Sequence, residues 1–318
     1  MIKTVRDAWQ IPELRRKILF TIFALLIFRL GAAIPVPYIN TAGLETYLSA
    51  QSGTILGLMN AMSGSAFSMA TLFALSIQPY INSSIIIQLL TVAIPALERL
   101  AKEGGEEGRK KIASITRYTT VAIGLIQGFG YYSLINSYGL VETEGLPAVW
   151  VAIVIILSFT AGSAFLMWLG EQITEFGIGN GISVLLFAGI VSRFPHMLRD
   201  MISGIQAYLN PRTEEQLAAM TEVERAAYEN SILAPWMIAV IVVGMLALVV
   251  LIVFISNSER RLPVQYAKRV VGRKMYGGQS THIPIKVNMG GVMPIIFAQS
   301  IAMIPATIGA FAGWTTES

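Results

Sequence analysis

Apolar residues run through this chain in blocks of about 20, the length a helix needs to cross the hydrocarbon core of a bilayer. Seven such blocks, at 18–34, 67–94, 119–135, 149–169, 178–194, 236–255 and 288–311, predict seven membrane helices. The second is the most telling, because Pro79, Asn82, Ser83 and Ser84 interrupt it mid-way. Polar groups facing lipid are costly, so such a helix belongs where its polar side meets protein or a water-filled cavity. It reads as the wall of a passage. The block at 288–311 repeats the theme, with Pro294 followed two residues later by Ile296 as Pro79 is followed by Ile81. Counted along the chain, these two spans run in opposite directions, as in an inverted repeat. The third block is the least apolar, carrying Gln127 among Gly124, Gly128 and Gly130, a small-residue series suited to close helix packing.

Between the first two spans, residues 55–69 are apolar and Met-rich but broken by Gly57, Asn60, Ser63, Gly64 and Ser65. Two readings stand: an external amphipathic loop, or a segment folded back into the interior, where Met fills irregular space. The stretch 197–234 reads as an external loop containing a solvated helix at 213–230, and 256–286 as a strongly basic loop.

Composition agrees with a polytopic membrane protein: 54% of residues are hydrophobic and 13% charged. Charge sets the expected orientation. With the N-terminus (1–17) in the cytoplasm, 18 of the 23 Lys and Arg residues fall in that segment, the loop after the second span and the loop at 256–286. Arg29 stays in the first span, near enough to its outer end to snorkel. No small-residue processing site follows the first apolar block, which is therefore expected to remain as a span. Cysteine is absent, which excludes disulfides and thiolate metal sites.

Catalytic and energy-coupling motifs are missing. No phosphate loop occurs, and Gly104 to Lys111 fails its spacing; there is neither HExxH nor GxSxG. The spans hold no carboxylate at mid-depth, Glu171 and Glu175 falling at the inner end of the fourth, which argues against a proton relay. His196 and His282 are unpaired in sequence, and Gly177-Ile178-Gly179-Asn180-Gly181 reads as a tight turn. No cofactor or metal is expected. Large aliphatic residues do recur one helical turn apart, at Ile77 and Ile81 and at Ile182 and Leu186, a spacing that serves ordinary packing as well as a lining.

Several motifs carry more. RLGAAIPVP (29–37), GTILGLMNAMSG (53–64), IQPYINSSIIIQLL (77–90), GRKKI (108–112), GIGNGIS (177–183), YAKR (266–269), QSTHIPIKVNMGGVMPIIFA (279–298) and PATI (305–308) together resemble the bacterial SecY family, the main subunits of the protein-conducting channel. The resemblance implies an all-α membrane protein, seven helices of a ten-helix inverted-repeat channel, with a first repeat at 18–196 and the start of a second at 235–318. It implies a pore ring of Ile77, Ile81, Ile182, Leu186 and Ile296, Leu186 standing where isoleucine is usual, and a plug at 55–69 including Ile55, Leu56, Leu58, Met59, Met62 and Phe67. Asn82 and Asn288 match polar positions of a lateral gate, and Arg261, Arg273, Arg109 and Lys110 match or adjoin basic positions that meet partners.

The implied activity is translocation of secretory proteins across the bacterial cytoplasmic membrane and lateral insertion of membrane proteins into it. Implied partners are SecE and SecG, the ATPase SecA, the ribosome and signal-sequence-bearing polypeptides; the basic loop at 256–286 by itself suits either anionic membrane lipids or an acidic or nucleic-acid-bearing partner. Against a ten-span family, a chain reaching Ser318 after the seventh span is expected to be a fragment or a truncated frame. Two other classes make different demands on the spans. A solute transporter with broken helices calls for a buried carboxylate or cation site, and an intramembrane hydrolase for Ser–His or paired Asp in the spans.

Overall fold

A computed structural model describes residues 9–50, 60, 63–143, 145–212, 225, 228, 232, 234–264, 269–271, 274–276, 281–288 and 298. It divides into two compact units, parting between Pro195 and His196.

In the first unit, α1 (Pro12–Gly31) begins with Pro in its first turn, where a missing amide hydrogen costs nothing. Asn40 precedes the short α2 (Thr41–Ala50) and accepts from the Gly43 amide at 3.0 Å, an N-cap bond. Then follow α3 (Gln78–Ala93), α4 (Pro95–Lys102), α5 (Gly105–Ser137), α6 (Ala148–Phe176) and α7 (Gly181–Val191). α5 packs along both α3 and α6, while α6 also receives α1 and α7, so α5 and α6 form the spine of the unit.

The block read as one span over 67–94 divides. Residues 63–77 form a chain of turns, and the helix starts only at Gln78. Pro79 therefore opens α3 rather than breaking it. Non-helical backbone at membrane depth must find partners in protein, and here it does. Val36 donates to the Ala70 carbonyl at 3.0 Å, Leu72 to Ile34 at 2.9 Å and Thr71 to Ala66 at 3.0 Å. Ser65, Ala70 and Ser76 adopt positive φ within this run, a conformation costing a non-glycine residue roughly 1–2 kcal/mol. Burial offsets that cost: Phe67, Ala70, Ala74 and Leu75 join Val36, Leu44, Tyr131, Ile135, Ile155 and Phe159 in one core. At its other end α3 meets α4 at a bend of 102°, where the backbone at Ile94 turns extended ahead of Pro95, as the residue before proline prefers.

The third block, least apolar in sequence, lies in the longest described helix, the 33-residue α5. Its Gly124, Gly128, Thr116 and Thr120 are buried. A Cβ on Gly124 would lie 3.2 Å from Ser163 Oγ, and one on Gly128 3.3 Å from the Ile156 carbonyl, so the small-residue series brings α5 onto α6 as the spacing predicts.

The second unit contains most of α8 (Phe194–Leu209), then α9 (Pro235–Asn257) and four strands. The region read as an external loop from 197 thus begins as a helix reaching Leu209; the helix expected at 213–230 lies outside the described residues apart from Arg225 and Tyr228. The basic loop is a β-hairpin: β1 (Glu259–Val264) pairs antiparallel with β4 (Thr281–Lys286), and β2 (Arg269–Val271) with β3 (Lys274–Tyr276). Among the described residues three helical stretches, α6, Gly181–Leu209 and α9, are long and apolar enough to cross a membrane, or four with the bent α3–α4 pair. α1 has the length but carries Arg15, Arg16, Lys17 and Arg29. The seventh predicted span lies outside the described residues, save Asn288 and Ala298.

Candidate functional site

Ile77 and Ile81 sit at the mouth of α3, Ile77 as its N-cap residue and Ile81 one turn on, with 1% and 7% of their surface exposed. The turn chain and Pro79 together determine where this helix begins, and so the level at which the two side chains stand. Ile182 and Leu186 lie half-buried one turn apart on α7. α7 packs on α6, and Ile182 leans over Gly170, its Cδ1 2.6 Å from where a Cβ would stand. Both pairs expected to form the ring are thus mounted on helices that share α6 as a support. Ile296 lies outside the described residues.

Of the residues expected in a plug, Ile55, Leu56, Leu58, Met59 and Met62 lie outside the described residues. Phe67 is 2% exposed and stacks on Tyr131 at 4.3 Å, which in turn lies 4.9 Å from Phe159. The Tyr131 hydroxyl donates to the Phe67 carbonyl. Asn60 steadies the same turn by accepting from the Ser68 amide at 3.0 Å.

The polar residues of the second block divide by role. Ser83 is wholly buried and donates to the Thr116 carbonyl on α5 at 2.8 Å, an interhelical pin rather than a cavity lining. Asn82, half-buried, accepts from Gln78 Nε2 at 3.4 Å on the same helix. Asn288 is exposed just beyond β4 in the second unit.

Arg109 and Lys110 are exposed in the opening turns of α5. Lys110 edges a shallow groove of about 510 Å³ between α4 and α5, lined by Leu97, Leu100, Ile115 and Tyr118. On α4, Lys102 bonds Glu98 at 2.7 Å, a contact that raises the lysine pKa above its usual value. Arg261 is exposed on β1 opposite Pro284, and Arg273 lies outside the described residues.

Arg117, expected in the loop after the second span, lies instead within α5 and meets Glu171, near the end of α6 as expected, at 2.9 Å. Tyr131, the Ser83–Thr116 pin and the Thr21 hydroxyl, which accepts from the Ile178 amide at 3.1 Å, were not singled out. Nothing along the chain names their partners, which lie 64, 33 and 157 residues away. Gln127 Oε1 is buried without a hydrogen-bond partner, and no cluster of metal-ligating side chains occurs, among the described residues.

Comparison with known proteins agrees along the chain. The SecY family model matches residues 71–318. Protein translocase subunit SecY of Streptomyces lividans is 40% identical over 99% of this chain and 70% of its own length. The subunit of Buchnera aphidicola is 44% identical over 96% of this chain and 79% of its own, and that of Escherichia coli K12 44% identical over 96% and 63%. Solved structures share the fold. One described as the structure of a protein conducting channel has a TM-score of 0.57 at 18% identity, covering 93% of this chain and 58% of that one. Sec61 in a canine ribosome-channel complex gives 0.56 at 18%, with the same coverage. The chain therefore spans under two thirds of those solved channels and about two thirds to four fifths of the curated relatives. That family consists of protein-translocation channels rather than enzymes, and the match over residues 71–318 together with relatives 40–44% identical along nearly the whole chain places this multi-pass membrane chain within it: it belongs to the SecY family.

Proposed function

We propose that this chain supplies the first repeat and the start of the second in a channel that passes secretory polypeptides across the bacterial cytoplasmic membrane and releases membrane segments sideways. The observation that carries this reading is the mouth of α3: Ile77 and Ile81, one turn apart, stand where a hydrogen-bonded chain of turns enters a helix that turns polar at Asn82 and Ser83. Ile182, Leu186 and Ile296 complete the ring. Aliphatic side chains dewet a constriction against ions yet bind no passing sequence, and they deform around it. The segment 55–69 closes the outer side of this ring at rest.

Asn82 and Asn288 belong to a lateral gate. An interhelical amide bond of roughly 1 kcal/mol is weak enough for an apolar signal helix to displace. The N-terminus faces the cytoplasm, where Arg109, Lys110, Arg261 and Arg273 receive SecA or the ribosome, which supply the energy for which this chain shows no phosphate loop. SecE and SecG complete the assembly, and anionic lipid heads meet the remaining basic residues. The solute-transporter alternative is disfavoured by the SecY relatives.

A photo-crosslinking residue at Ile81 or Leu186 of the complete channel tests the ring. A polypeptide stalled in transit is expected to crosslink at both, while the same residue at Val249 on α9 gives none. Equal labelling at all three positions, or at none, overturns the assignment.

A further inference from the structure

We propose that Thr21 is a positioning residue for the constriction, acting through the turn at 177–180 on the helix that presents Ile182 and Leu186. The inference rests on the constriction reading above. The Thr21 hydroxyl is used twice: it donates to the Lys17 carbonyl at 2.8 Å within α1, and accepts from the Ile178 amide at 3.1 Å in the turn between α6 and α7. Gly177 makes the approach possible, since a Cβ there would lie 2.7 Å from Thr21 Oγ1 and 2.6 Å from the Ile173 carbonyl. Beside the contact Phe20 meets Phe176 edge to face, ring centres 6.0 Å apart.

From this clasp to the ring residue the chain has little slack. Gly179 takes φ +74°, a value open to glycine at no steric cost. Asn180 caps α7 by accepting from the Ser183 amide at 3.2 Å. Gly181 donates to Thr174 Oγ1 at 2.9 Å and rests against the Gly170 carbonyl, where any side chain would collide. Ile182 is the next residue and lies over Gly170. A shift of Ile178 away from α1 therefore passes to Ile182 and, one turn on, to Leu186.

The chemistry separates position from stability. With its proton directed at Lys17, the hydroxyl serves Ile178 as an acceptor; valine has the same shape and offers none, whereas serine keeps both bonds. Ile178 is partly exposed, so water can satisfy its amide when the hydroxyl is gone. Losing Thr21 should move α7 without unfolding the unit.

The test uses the complete channel in a background free of cysteine, with a nitroxide at Phe187→Cys, exposed on α7 beside Leu186, for the spectra, and the leak is read in the unlabelled protein with Phe187 intact. Thr21→Val is expected to add a second, more mobile spectral component and to raise the resting ion leak several-fold, with the thermal midpoint unchanged. Thr21→Ser is expected to return spectrum and leak to those of the parent. Gly177→Ala, which pushes the turn off Thr21 from the other side, should reproduce the mobile component and serves if Thr21→Val fails to accumulate. A parent-like spectrum and leak in Thr21→Val, or a change that serine does not rescue, overturns the proposal. Ile81→Asn runs alongside: if it leaks and Thr21→Val does not, the clasp falls and the constriction stands, whereas if Ile81→Asn does not leak the constriction falls and takes the clasp with it.

Discussion

Helices α5 and α9 invert the rule learned from soluble proteins. α9 is the more apolar by far, PWMIAVIVVGMLALVVLIVFISN, and none of its residues is buried in its unit. α5 mixes Thr, Gly, Tyr and Gln into its span and is packed between α3 and α6. Lipid is as apolar as leucine, so apolar side chains gain nothing by leaving it. Helices in a bilayer associate through small residues that let backbones approach and through hydrogen bonds between them. Gly124, Gly128 and the Thr116 carbonyl do this work on α5, whereas the single glycine of α9, Gly244, has no atom of the described residues within 4 Å of the place its Cβ would take.

Five substitutions break or sharpen that contrast. Gly162 on α6 lies directly against the Leu72 carbonyl of the turn chain, so Gly162→Leu forces the core apart, a strain of 1–3 kcal/mol or more by the usual cost of overpacking. We expect the protein to be lost to proteolysis in the membrane, while Gly244→Leu accumulates normally; comparable yields by immunoblot would refute the contrast. Tyr131→Phe keeps the stacking and removes the hydroxyl's bond to the Phe67 carbonyl, which still accepts from the Ala70 amide at 3.1 Å, at a cost of about 1 kcal/mol read from the midpoint of denaturant unfolding in detergent. Ser83→Ala should cost less, roughly 0.6 kcal/mol, the average for a side-chain bond between membrane helices, with the Thr116 carbonyl still accepting from Thr120 Oγ1. Arg117→Gln, which removes a half-exposed ion pair, should shift the midpoint least, by under about 1 kcal/mol and by less still at high salt. A Ser83→Ala effect larger than that of Tyr131→Phe would reverse the ranking of buried contacts proposed here.

The same contrast explains what was legible in the sequence. Apolar run length located the fourth and sixth spans, at 149–169 and 236–255, inside α6 and α9. It rated the third block lowest because the residues that pack α5 into protein are the ones that lower its apolarity. Over 67–77 it failed for a different reason: buried irregular backbone is as apolar as helix, and only the hydrogen bonds to Ile34 and Val36 set the two apart. The basic hairpin escaped because its strands carry Arg and Lys at both alternating positions, leaving no period to see. Family motifs supplied Ile77, Ile81, Ile182 and Leu186, while Thr21 and Tyr131, whose partners are far along the chain, emerged only from the folded structure.

The most direct test of the constriction is the resting conductance of the complete channel in planar bilayers carrying Ile81→Asn. The account predicts a steady ion leak, because a polar side chain wets the ring, with Ile81→Leu remaining closed. Conductance indistinguishable from the parent in Ile81→Asn, with the protein inserted and assembled, would contradict it.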